Sequence, residues 1–385
     1  DLSHVSITPV SGPAWTPVVT GAPTNLVITG SGGGIDIPAG QQLVFDVTVV
    51  LNDSATNVTG LTFQNTASYT FNQINGVVNP IAGGSGTTAA MTIVSPDSVI
   101  LQKSGPPTMR IGIPATFTLN VQNTGTGTAW DMTIADILPD PTPGGMCTVA
   151  PSAITAQVFL ADGVTAVGPA LVAGTDYTST FATGVGSCTL TLVMRTAAAA
   201  LGPTNRLIIT YQALLDPDNG NGTVLTNIAG ATQWFSADTP ANVATGQIRT
   251  FTRTITDGTP AIPDHQAAHT ITTEAAILEF RKSVFNVTTG QNPGSNARPG
   301  DVLRYTITIR NTTPIPLTNF TLTDELDRLN IPAVFAPNSI NLVTIPPGAT
   351  TTLTSGTGGV RGTGLVDVRG LNITATGTPG DTLTI

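Results

Sequence analysis

The sequence predicts an all-β protein assembled from tandem β-sandwich modules, and three observations favour this fold class. Glycine (41 residues) and proline (29 residues) are frequent, which indicates many turns. Segments in which apolar and polar residues alternate recur along the chain, as in half-buried strands. No amphipathic helical stretch separates these segments, so parallel βαβ topology is not expected. The hydrophobic content of 40% is sufficient for packed cores.

The segments with alternating apolar residues recur along most of the chain. They begin near Val44 and include three sets of every-other-residue apolar positions: Phe117, Leu119 and Val121; Leu190 and Leu192; Tyr305, Ile307 and Ile309. Short strands separated by glycine-rich turns predict Greek-key sandwiches of immunoglobulin type. The segment between Gln233 and Leu278 interrupts this pattern, and we expect a long surface insertion there.

An internal repeat divides the chain. The stretch from Ile111 aligns without a gap with the stretch from Pro299, and the stretch from Ile37 resembles that from Leu201. The alignment pairs Phe117 with Tyr305, Asn123 with Asn311, Asp136 with Asp324, and Asn65 with Asn227. We therefore expect the late part of one module in residues 1–99, a complete module in 100–277 and the early part of a third in 278–385.

Composition and charge restrict the function classes. The net charge is −9 and no basic patch is present, which argues against nucleic acid as a partner. No apolar run approaches membrane-spanning length. Residue 1 is Asp and no signal peptide is visible, so we expect a processed chain or a part of a longer one. Abundant threonine, scarce lysine and two separated cysteines favour an extracellular or cell-surface location.

The chain has only two lysines, Lys103 and Lys282, and both lie at the same place in the repeat. All other basic residues, apart from histidine, are arginine. Arginine does not release its proton in proteins, whereas a buried lysine amine does and then becomes a nucleophile. The pattern therefore indicates a chemical role for the lysine amine.

Three polar residues of the complete module are predicted to point into the core. Side chains two residues apart on a strand share a face. Each polar residue lies in phase with apolar neighbours: Lys103 with Leu101, Asp136 with Ile134 and Leu138, and Asn227 with Leu225 and Ala229. An isolated buried charge or amide is costly, so we expect the three side chains to meet.

Their meeting predicts a self-modification. Burial favours the neutral amine of lysine and the protonated form of aspartate. The amine of Lys103 can then attack the carboxamide of Asn227 while Asp136 polarises the amide and moves protons. Ammonia leaves, and an isopeptide bond joins the first strand to the last. This reaction occurs once per molecule, so no enzyme with turnover is expected. Two alternatives stay open: a buried Lys–Asp ion pair with the asparagine hydrogen-bonded nearby, and a lysine that snorkels at a strand edge.

The motifs resemble a known repeat family. The Lys-Ser opening at Lys103, the PGxxxxYTITIxNT strand from Pro299, the TDxL strand at Asp324 and the LTNxA strand at Asn227 resemble the tandem surface repeats called domain of unknown function eleven. More broadly, they are similar to isopeptide-forming domains of bacterial adhesins and pilins. The resemblance implies sandwich modules on a bacterial or archaeal surface. It maps the crosslink onto Lys103, Asp136 and Asn227, onto Lys282 and Asp324 in the third module, and onto Asn65 alone in the first.

Other side-chain groups give weaker signals. Cys147 and Cys188 both stand at predicted strand starts of one module, and we expect a disulfide between them. Four oxygen-bearing residues cluster in the LDPDNGNG segment: Asp216, Asp218, Asn219 and Asn221. A hairpin turn is favoured for this segment, with a calcium site as the alternative, and no other cofactor is expected. His265 and His269 are expected in a surface loop and not at a zinc site.

Modules closed by covalent bonds and linked end to end predict a mechanically stiff stalk, fibre or surface-layer component. Its expected partners are neighbouring repeats of the same chain or like subunits. One alternative is an adhesin module that binds glycans or surface proteins through the 233–278 insertion. Another is a filament subunit that assembles by strand complementation, because a late half-module begins the chain and an early one ends it.

Overall fold

The computed structural model describes residues 1–21, 25–74, 76–238, 247–260, 262–274, 278–313, 316–324, 343–344 and 366–385. Within these ranges the secondary structure is β-strand apart from one 3₁₀ turn, Ala197–Ala199. The strands form several separate sheets, and facing sheets enclose cores in the second and third modules. The prediction of an all-β chain of tandem immunoglobulin-like sandwiches is therefore confirmed.

The first module consists of short antiparallel pairs. Its strands are β1 (Leu2–Ser11), β2 (Pro17–Thr20), β3 (Val27–Gly30), β4 (Val44–Leu51), β5 (Thr62–Phe63), β6 (Thr66–Phe71), β7 (Ile81–Thr87) and β8 (Met91–Thr92). They pair as β1–β4, β2–β3, β5–β8 and β6–β7. The alternating strand predicted near Val44 is present as β4, but Val47 and Val49 remain about two-fifths exposed, at 39% and 42%. The described part of this module thus lacks a facing sheet that would cover its apolar side.

The second module is a sandwich of two sheets. Its strands are β9 (Val99–Ser104), β10 (Thr108–Arg110), β11 (Ala115–Asn123), β12 (Trp130–Pro139), β13 (Ser152–Phe159), β14 (Tyr177–Thr183), β15 (Ser187–Met194), β16 (Arg206–Ala213), β17 (Val224–Phe235), β18 (Thr250–Thr252) and β19 (Gln266–Glu274). One sheet has the order β13-β16-β11-β9, and the other has the order β10-β19-β17-β12-β15-β14 with β18 beside β17.

Strict alternation of buried and partly exposed residues explains why these segments form strands. In β12 every second residue from Met132 to Leu138 is buried, and β15 and β16 show the same period. The inward residues of both sheets join one core, which contains Phe117, Leu119 and Ile134 at 0% exposure. Two-residue periodicity therefore decides which side chains enter the space between the sheets.

The predicted insertion is largely part of the sheet. β17 continues to Phe235, and β18 and β19 both pair with it antiparallel. β19 also pairs with β10 in parallel. The expectation of a long surface insertion between Gln233 and Leu278 was therefore wrong for the residues described. Ile271 of β19 has 0% exposure and belongs to the core, and the partly buried Ala267 packs against it.

An arginine of the second module contacts the first module directly. Arg249, which precedes β18, forms an ion pair of 2.6 Å with Asp53. Its guanidinium also donates hydrogen bonds to the backbone carbonyls of Ser54 (2.7 Å) and Asn57 (3.1 Å). Nearer the predicted boundary, the Trp234 indole N–H donates to the carbonyl of Pro96, so the residues before β9 pack on the second module. The exact division at residues 99 and 277 stays a prediction.

The third module repeats the start of the second. Its strands are β20 (Leu278–Asn286), β21 (Leu303–Asn311), β22 (Leu317–Asp324), β23 (Val366–Ile373) and β24 (Thr382–Thr384). One sheet has the order β20-β21-β24, and β22 pairs with β23. Lys282 lies opposite Ile307, as Lys103 lies opposite Leu119 in the second module. The repeat seen in the sequence is thus also a repeat of strand register.

Candidate functional site

Lys103 enters the core of the second module from β9, the edge strand of the four-stranded sheet. Val99, Leu101 and Lys103 are the inward residues of this strand. The Lys103 side chain has 0% exposure, so its ammonium is not hydrated at a strand edge. The snorkelling alternative is therefore excluded by the geometry of β9.

Asp136 faces Lys103 from the opposite sheet. It occupies β12 between the buried residues Ile134 and Leu138, and its side chain also has 0% exposure. Lys103 Nζ lies 2.5 Å from Asp136 Oδ2, the distance of a short charge-assisted contact. The lysine and the aspartate thus join the two sheets across the core.

Asn227 lies beside Asp136 in the same sheet. Asp136 pairs with Ala229 across β12 and β17, so Asn227, two residues from Ala229, is a diagonal neighbour on the same face. Asn227 has 0% exposure. The three residues that the sequence predicted to point inward therefore all enter one buried space.

A tyrosine that the sequence reasoning missed connects these groups. The Tyr211 hydroxyl accepts a hydrogen bond of 3.1 Å from Lys103 Nζ and one of 2.9 Å from Asn227 Nδ2. Its ring stacks on Phe117, with the centroids 5.5 Å apart. One signal in the sequence could have found it: Tyr211 continues the inward series of β16, and a buried tyrosine hydroxyl usually has a polar partner.

The surroundings of Lys103 weaken its proton affinity. Burial lowers the pKa of Lys103 below its ordinary value of 10.5, and the charge and hydrogen bond of Asp136 oppose that effect without cancelling it. Nζ also lies 5.6 Å and 5.5 Å from the ring centroids of Phe117 and Tyr211. Burial, with the Asp136 carboxylate as the second cause, raises the pKa of Tyr211 well above 10.0. The surroundings therefore shift Lys103 towards its neutral amine and Tyr211 towards its protonated phenol.

Two buried oxygens of the site have no hydrogen-bond partner among the described residues. They are Asp136 Oδ1 and Asn227 Oδ1. A native core leaves few such atoms unpaired, so each needs an explanation. A proton on Asp136 Oδ1 would supply a donor for the amide oxygen of its diagonal neighbour. The arrangement is thus compatible with two states. Either Lys103 and Asp136 form an ion pair beside the Asn227 amide, or Lys103 and Asn227 are the reactants of an amide exchange.

The third module contains the equivalent lysine and aspartate. Lys282 Nζ lies 2.7 Å from the carboxylate of Asp324, and 5.1 Å from the ring centroid of Tyr305. Tyr305 occupies the repeat position of Phe117. The side chains of Lys282 and Asp324 are 35% and 15% exposed, so this pair is more hydrated than its counterpart. The repeat positions of Tyr211 and Asn227 are not among residues 278–385.

Asn65 differs from the expectation drawn for it. It lies between β5 and β6 and is exposed, with its backbone N–H donating to Thr88 Oγ1 at 3.0 Å. Residues 1–99 contain no lysine. The predicted inward orientation of Asn65 was therefore wrong, because β5 is only two residues long and no second sheet packs on it in the described part of the first module.

Cys147 and Cys188 form the disulfide that was expected. The bond joins positions 41 residues apart and connects the segment after β12 to the start of β15. Both cysteines belong to the core of the second module. The disulfide lies inside the chain segment that Lys103 and Asn227 delimit.

The LDPDNGNG segment forms a tight turn fastened to a neighbouring loop. The carboxylate of Asp216 accepts hydrogen bonds from the N–H groups of Cys147 (3.1 Å) and Thr148 (2.8 Å). The side chain of Asn219 bonds the N–H of Gly145 at 3.0 Å and its carbonyl at 2.8 Å. These backbone contacts use the side-chain oxygens of Asp216 and Asn219, two of the four residues that the calcium alternative required. No group of three or more His, Cys, Asp or Glu side chains in the described ranges could hold a metal ion.

One of the two histidines near this sheet lies in a strand, and the other lies in the bend that precedes it. His269 is part of β19, opposite Asn227, and its Nε2 lies 2.9 Å from the carbonyl oxygen of Pro106. Its ring meets Phe117 edge-on at 6.0 Å between centroids. His265 directly precedes β19, with Nε2 3.0 Å from the carbonyl oxygen of Thr254. The loop expectation was therefore wrong for His269, because this residue pairs with β17, whereas His265 lies in the bend before the strand.

Comparisons with known proteins give distant structural similarities. No protein-family model and no curated protein match the chain, so the resemblance to the tandem repeat family stays a prediction. Among similar solved structures is the major pilin SpaA of Corynebacterium diphtheriae, described as a modular pilus with stabilising isopeptide bonds. It is 10% identical, with a TM-score of 0.28 over 91% of this chain and 70% of the pilin.

Two further similar structures are also of bacterial proteins. The collagen-binding domain of a Staphylococcus aureus adhesin is 14% identical, with a TM-score of 0.25 over 46% of this chain and 98% of that domain. The C-terminal domain of the Streptococcus pyogenes antigen I/II-family protein AspA is 10% identical, with a TM-score of 0.27 over 74% of this chain and 88% of that domain. At these TM-scores the similarities carry no functional inference. The described residues include no helix of the length and apolarity needed to cross a membrane.

Proposed function

We propose that this chain is part of an extracellular structural protein, a stalk, fibre or surface-layer component, in which the complete module is closed by an isopeptide bond between Lys103 and Asn227. One observation carries the proposal. The amine, the carboxylate of Asp136 and the carboxamide converge at 0% side-chain or residue exposure, and Tyr211 contacts both reacting groups. Buried groups with perturbed proton affinity are the usual mark of a reactive site.

The reaction is an amide exchange that needs no cofactor. The neutral amine of Lys103 attacks Cγ of Asn227, a new C–N bond forms, and the bond from Cγ to Nδ2 breaks. One proton leaves Nζ and one reaches Nδ2, so the leaving group is ammonia and no oxidant or reductant is required. The lowered pKa of Lys103 supports this role because only the unprotonated amine is a nucleophile.

Asp136 acts as the acid that promotes the reaction. A proton on Oδ1 would polarise the amide oxygen of Asn227 and stabilise the charge that develops there. The unpaired oxygens of both residues support this assignment. The same carboxyl group holds the amine through Oδ2, at 2.5 Å. Asp324 would have the same role beside Lys282 in a third module that also contains the equivalent of β17, the strand that carries the asparagine.

The mechanical consequence follows from where the bond closes the chain. It joins β9 to β17, so tension along the chain cannot extend the residues between Lys103 and Asn227. β18 and β19 come after Asn227 and lie outside the closed segment. The sequence suggested a bond from the first strand to the last, but the bond would end on β17 and two strands follow it. Tension can therefore detach β18 and β19 from the module. The contacts of Arg249 with the first module support a stiff joint between neighbouring modules.

The alternative for the same atoms is a permanent ion pair between Lys103 and Asp136 with Asn227 hydrogen-bonded to Tyr211. Two observations favour the reactive interpretation. The pKa of Lys103 is lowered and not raised, and the carboxamide oxygen has no partner among the described residues. In a stable polar network every buried group is normally satisfied. The adhesin alternative stays a prediction, and β18 and β19 occupy much of the segment expected to bind a ligand. The strand-complementation alternative also stays a prediction.

Pulling single molecules of the whole chain from its termini tests the proposal. With the bond formed, the second module extends only outside the closed segment. In Asn227→Ala the segment between Lys103 and Asn227 also extends, apart from the 41-residue loop that the disulfide closes. About 80 residues at about 3.4 Å each, roughly 280 Å, therefore become available. The matched control is Asn123→Ala, which removes another buried asparagine with hydrogen bonds to Gly127 and Leu201 but leaves the site intact. Equal extension of the parent and Asn227→Ala would contradict the proposal.

A further inference from the structure

We propose that Tyr211 is a catalytic residue of the isopeptide reaction, the group that carries the proton from the attacking amine of Lys103 to the departing nitrogen of Asn227. This inference rests on the proposed function and assigns the one step that Asp136 is not placed to perform. Neither the repeat motifs nor the comparisons identify a tyrosine at this position.

The position of the hydroxyl carries the argument. Amide exchange requires one proton to leave Nζ and one to reach Nδ2. The Tyr211 Oη lies 3.1 Å from Lys103 Nζ and 2.9 Å from Asn227 Nδ2. Both distances are within the range in which a general acid or base exchanges a proton directly. The hydroxyl thus stands between the two nitrogens whose protonation must change.

The contacts of Asp136 assign it a different role. Its Oδ2 contacts the amine at 2.5 Å, while its Oδ1 has no partner among the described residues. The hydrogen bond of Asn227 Nδ2 goes to the tyrosine. Asp136 therefore holds the amine, and the proposed reaction uses its free Oδ1 to polarise the carboxamide, whereas Tyr211 is placed to protonate the leaving group.

The step balances without any further reactant. After attack, the former amine nitrogen carries one proton more than the product amide needs. It gives that proton to Oη while Oη gives its own proton to Nδ2. The bond from Cγ to Nδ2 then breaks, ammonia leaves, and Tyr211 ends in the state in which it began.

The surroundings keep the hydroxyl in the form that this role needs. Tyr211 has 0% exposure, and stacking on Phe117 holds its ring in place. Burial and the nearby Asp136 carboxylate raise the pKa of Tyr211 well above 10.0. The phenol therefore retains a proton to donate while its lone pairs accept from the two nitrogens.

The test compares Tyr211→Phe with Tyr177→Phe in the whole chain. Tyr177 is also buried in the second module, and its hydroxyl donates to the backbone carbonyl of Ile154 at 3.1 Å. Each chain is made by cell-free synthesis, and intact mass is followed over time. We expect Tyr177→Phe to lose ammonia at the parental rate and Tyr211→Phe to lose it roughly a hundredfold more slowly. The rate for the parent should also fall in deuterated solvent.

A second variant separates the relay from a packing role. A fluorinated tyrosine at position 211 preserves the ring and hydroxyl but makes the hydroxyl more acidic. A proton relay predicts an altered rate of ammonia loss in this variant, and a rate equal to that of the parent would overturn the inference even if Tyr211→Phe failed to fold. Ammonia loss by Tyr211→Phe at the parental rate would also overturn it while leaving the isopeptide bond intact. A parent that keeps its full mass would overturn the proposed function itself.

Discussion

Replacement of Asn227 by alanine separates a covalent core from an ionic one. The substitution removes the carboxamide that the amine would attack, but it leaves Lys103 and Asp136 to pair with each other at 2.5 Å. The remaining charges are therefore not stranded in the core. Any large loss of stability must then come from the missing bond and not from an uncompensated ion.

The expected magnitude follows from the length of the closed segment. A crosslink that closes a loop of about 120 residues stabilises the folded state by about 5 kcal/mol, because it restricts the unfolded chain. The hydrogen bond from Asn227 to Tyr211 contributes about 1 kcal/mol when both partners are neutral. A covalent core thus predicts a loss of about 6 kcal/mol in unfolding free energy, and an ionic core predicts a loss of about 1 to 3 kcal/mol.

Chemical denaturation with tryptophan fluorescence measures the difference. Trp130 and Trp234 belong to strands of the second module and report on its unfolding. Thermal melts should show the same effect, a decrease in Tm of roughly 10 to 20 °C for a module of this size. Asn123→Ala serves as the control, since it removes buried hydrogen bonds without touching the site. A loss of no more than about 3 kcal/mol for Asn227→Ala would refute the covalent interpretation.

Three further predictions concern the same module. Asp136→Ala should be less stable than the parent and should keep the full mass of its sequence, because no ammonia is lost. Loss of ammonia at the parental rate would contradict the role of this acid. Removing the disulfide with Cys147→Ala and Cys188→Ala should lower the unfolding free energy by about 4 kcal/mol but leave ammonia loss unchanged, as intact mass would show. In Asn227→Ala the unfolding free energy should rise as the pH approaches 10.5, because unfolded Lys103 keeps its proton to that pH whereas folded Lys103 releases it earlier. Denaturation curves at several pH values below 10.0 measure this rise. Above pH 10.0 the ionisation of Tyr211 in the unfolded chain would lower the unfolding free energy instead. An unfolding free energy that does not change with pH would contradict the lowered pKa of Lys103.

Much of the fold could be predicted from local patterns. Two-residue alternation determines which face of a strand is buried, so the inward orientation of Lys103, Asp136 and Asn227 could be predicted from their apolar neighbours. The gap-free repeat also predicted that Lys282 and Asp324 would lie at equivalent positions. Their 2.7 Å contact and common register agree with this. These features depend on neighbours in sequence, and a single sequence contains that information.

Other features depend on contacts between distant segments and escaped sequence reasoning. Tyr211 becomes notable only when β16 is seen to face both Lys103 and Asn227 across the core. β19 has no long apolar run, and its pairing with both β17 and β10 decides its place in the sheet. Asn65 matches Asn227 in sequence, but the short β5 and the absence of a facing sheet in the described part of the first module leave it exposed.

The mass of the intact chain tests the central claim most directly. The purified protein is denatured, its disulfide is reduced, and its mass is compared with that of the sequence. An isopeptide bond predicts a deficit of one ammonia molecule, and digestion should yield a branched peptide that joins the segments of Lys103 and Asn227. The deficit should be absent from Asn227→Ala. A parental chain that has the full mass of its sequence, with both segments recovered as separate linear peptides, would contradict the account.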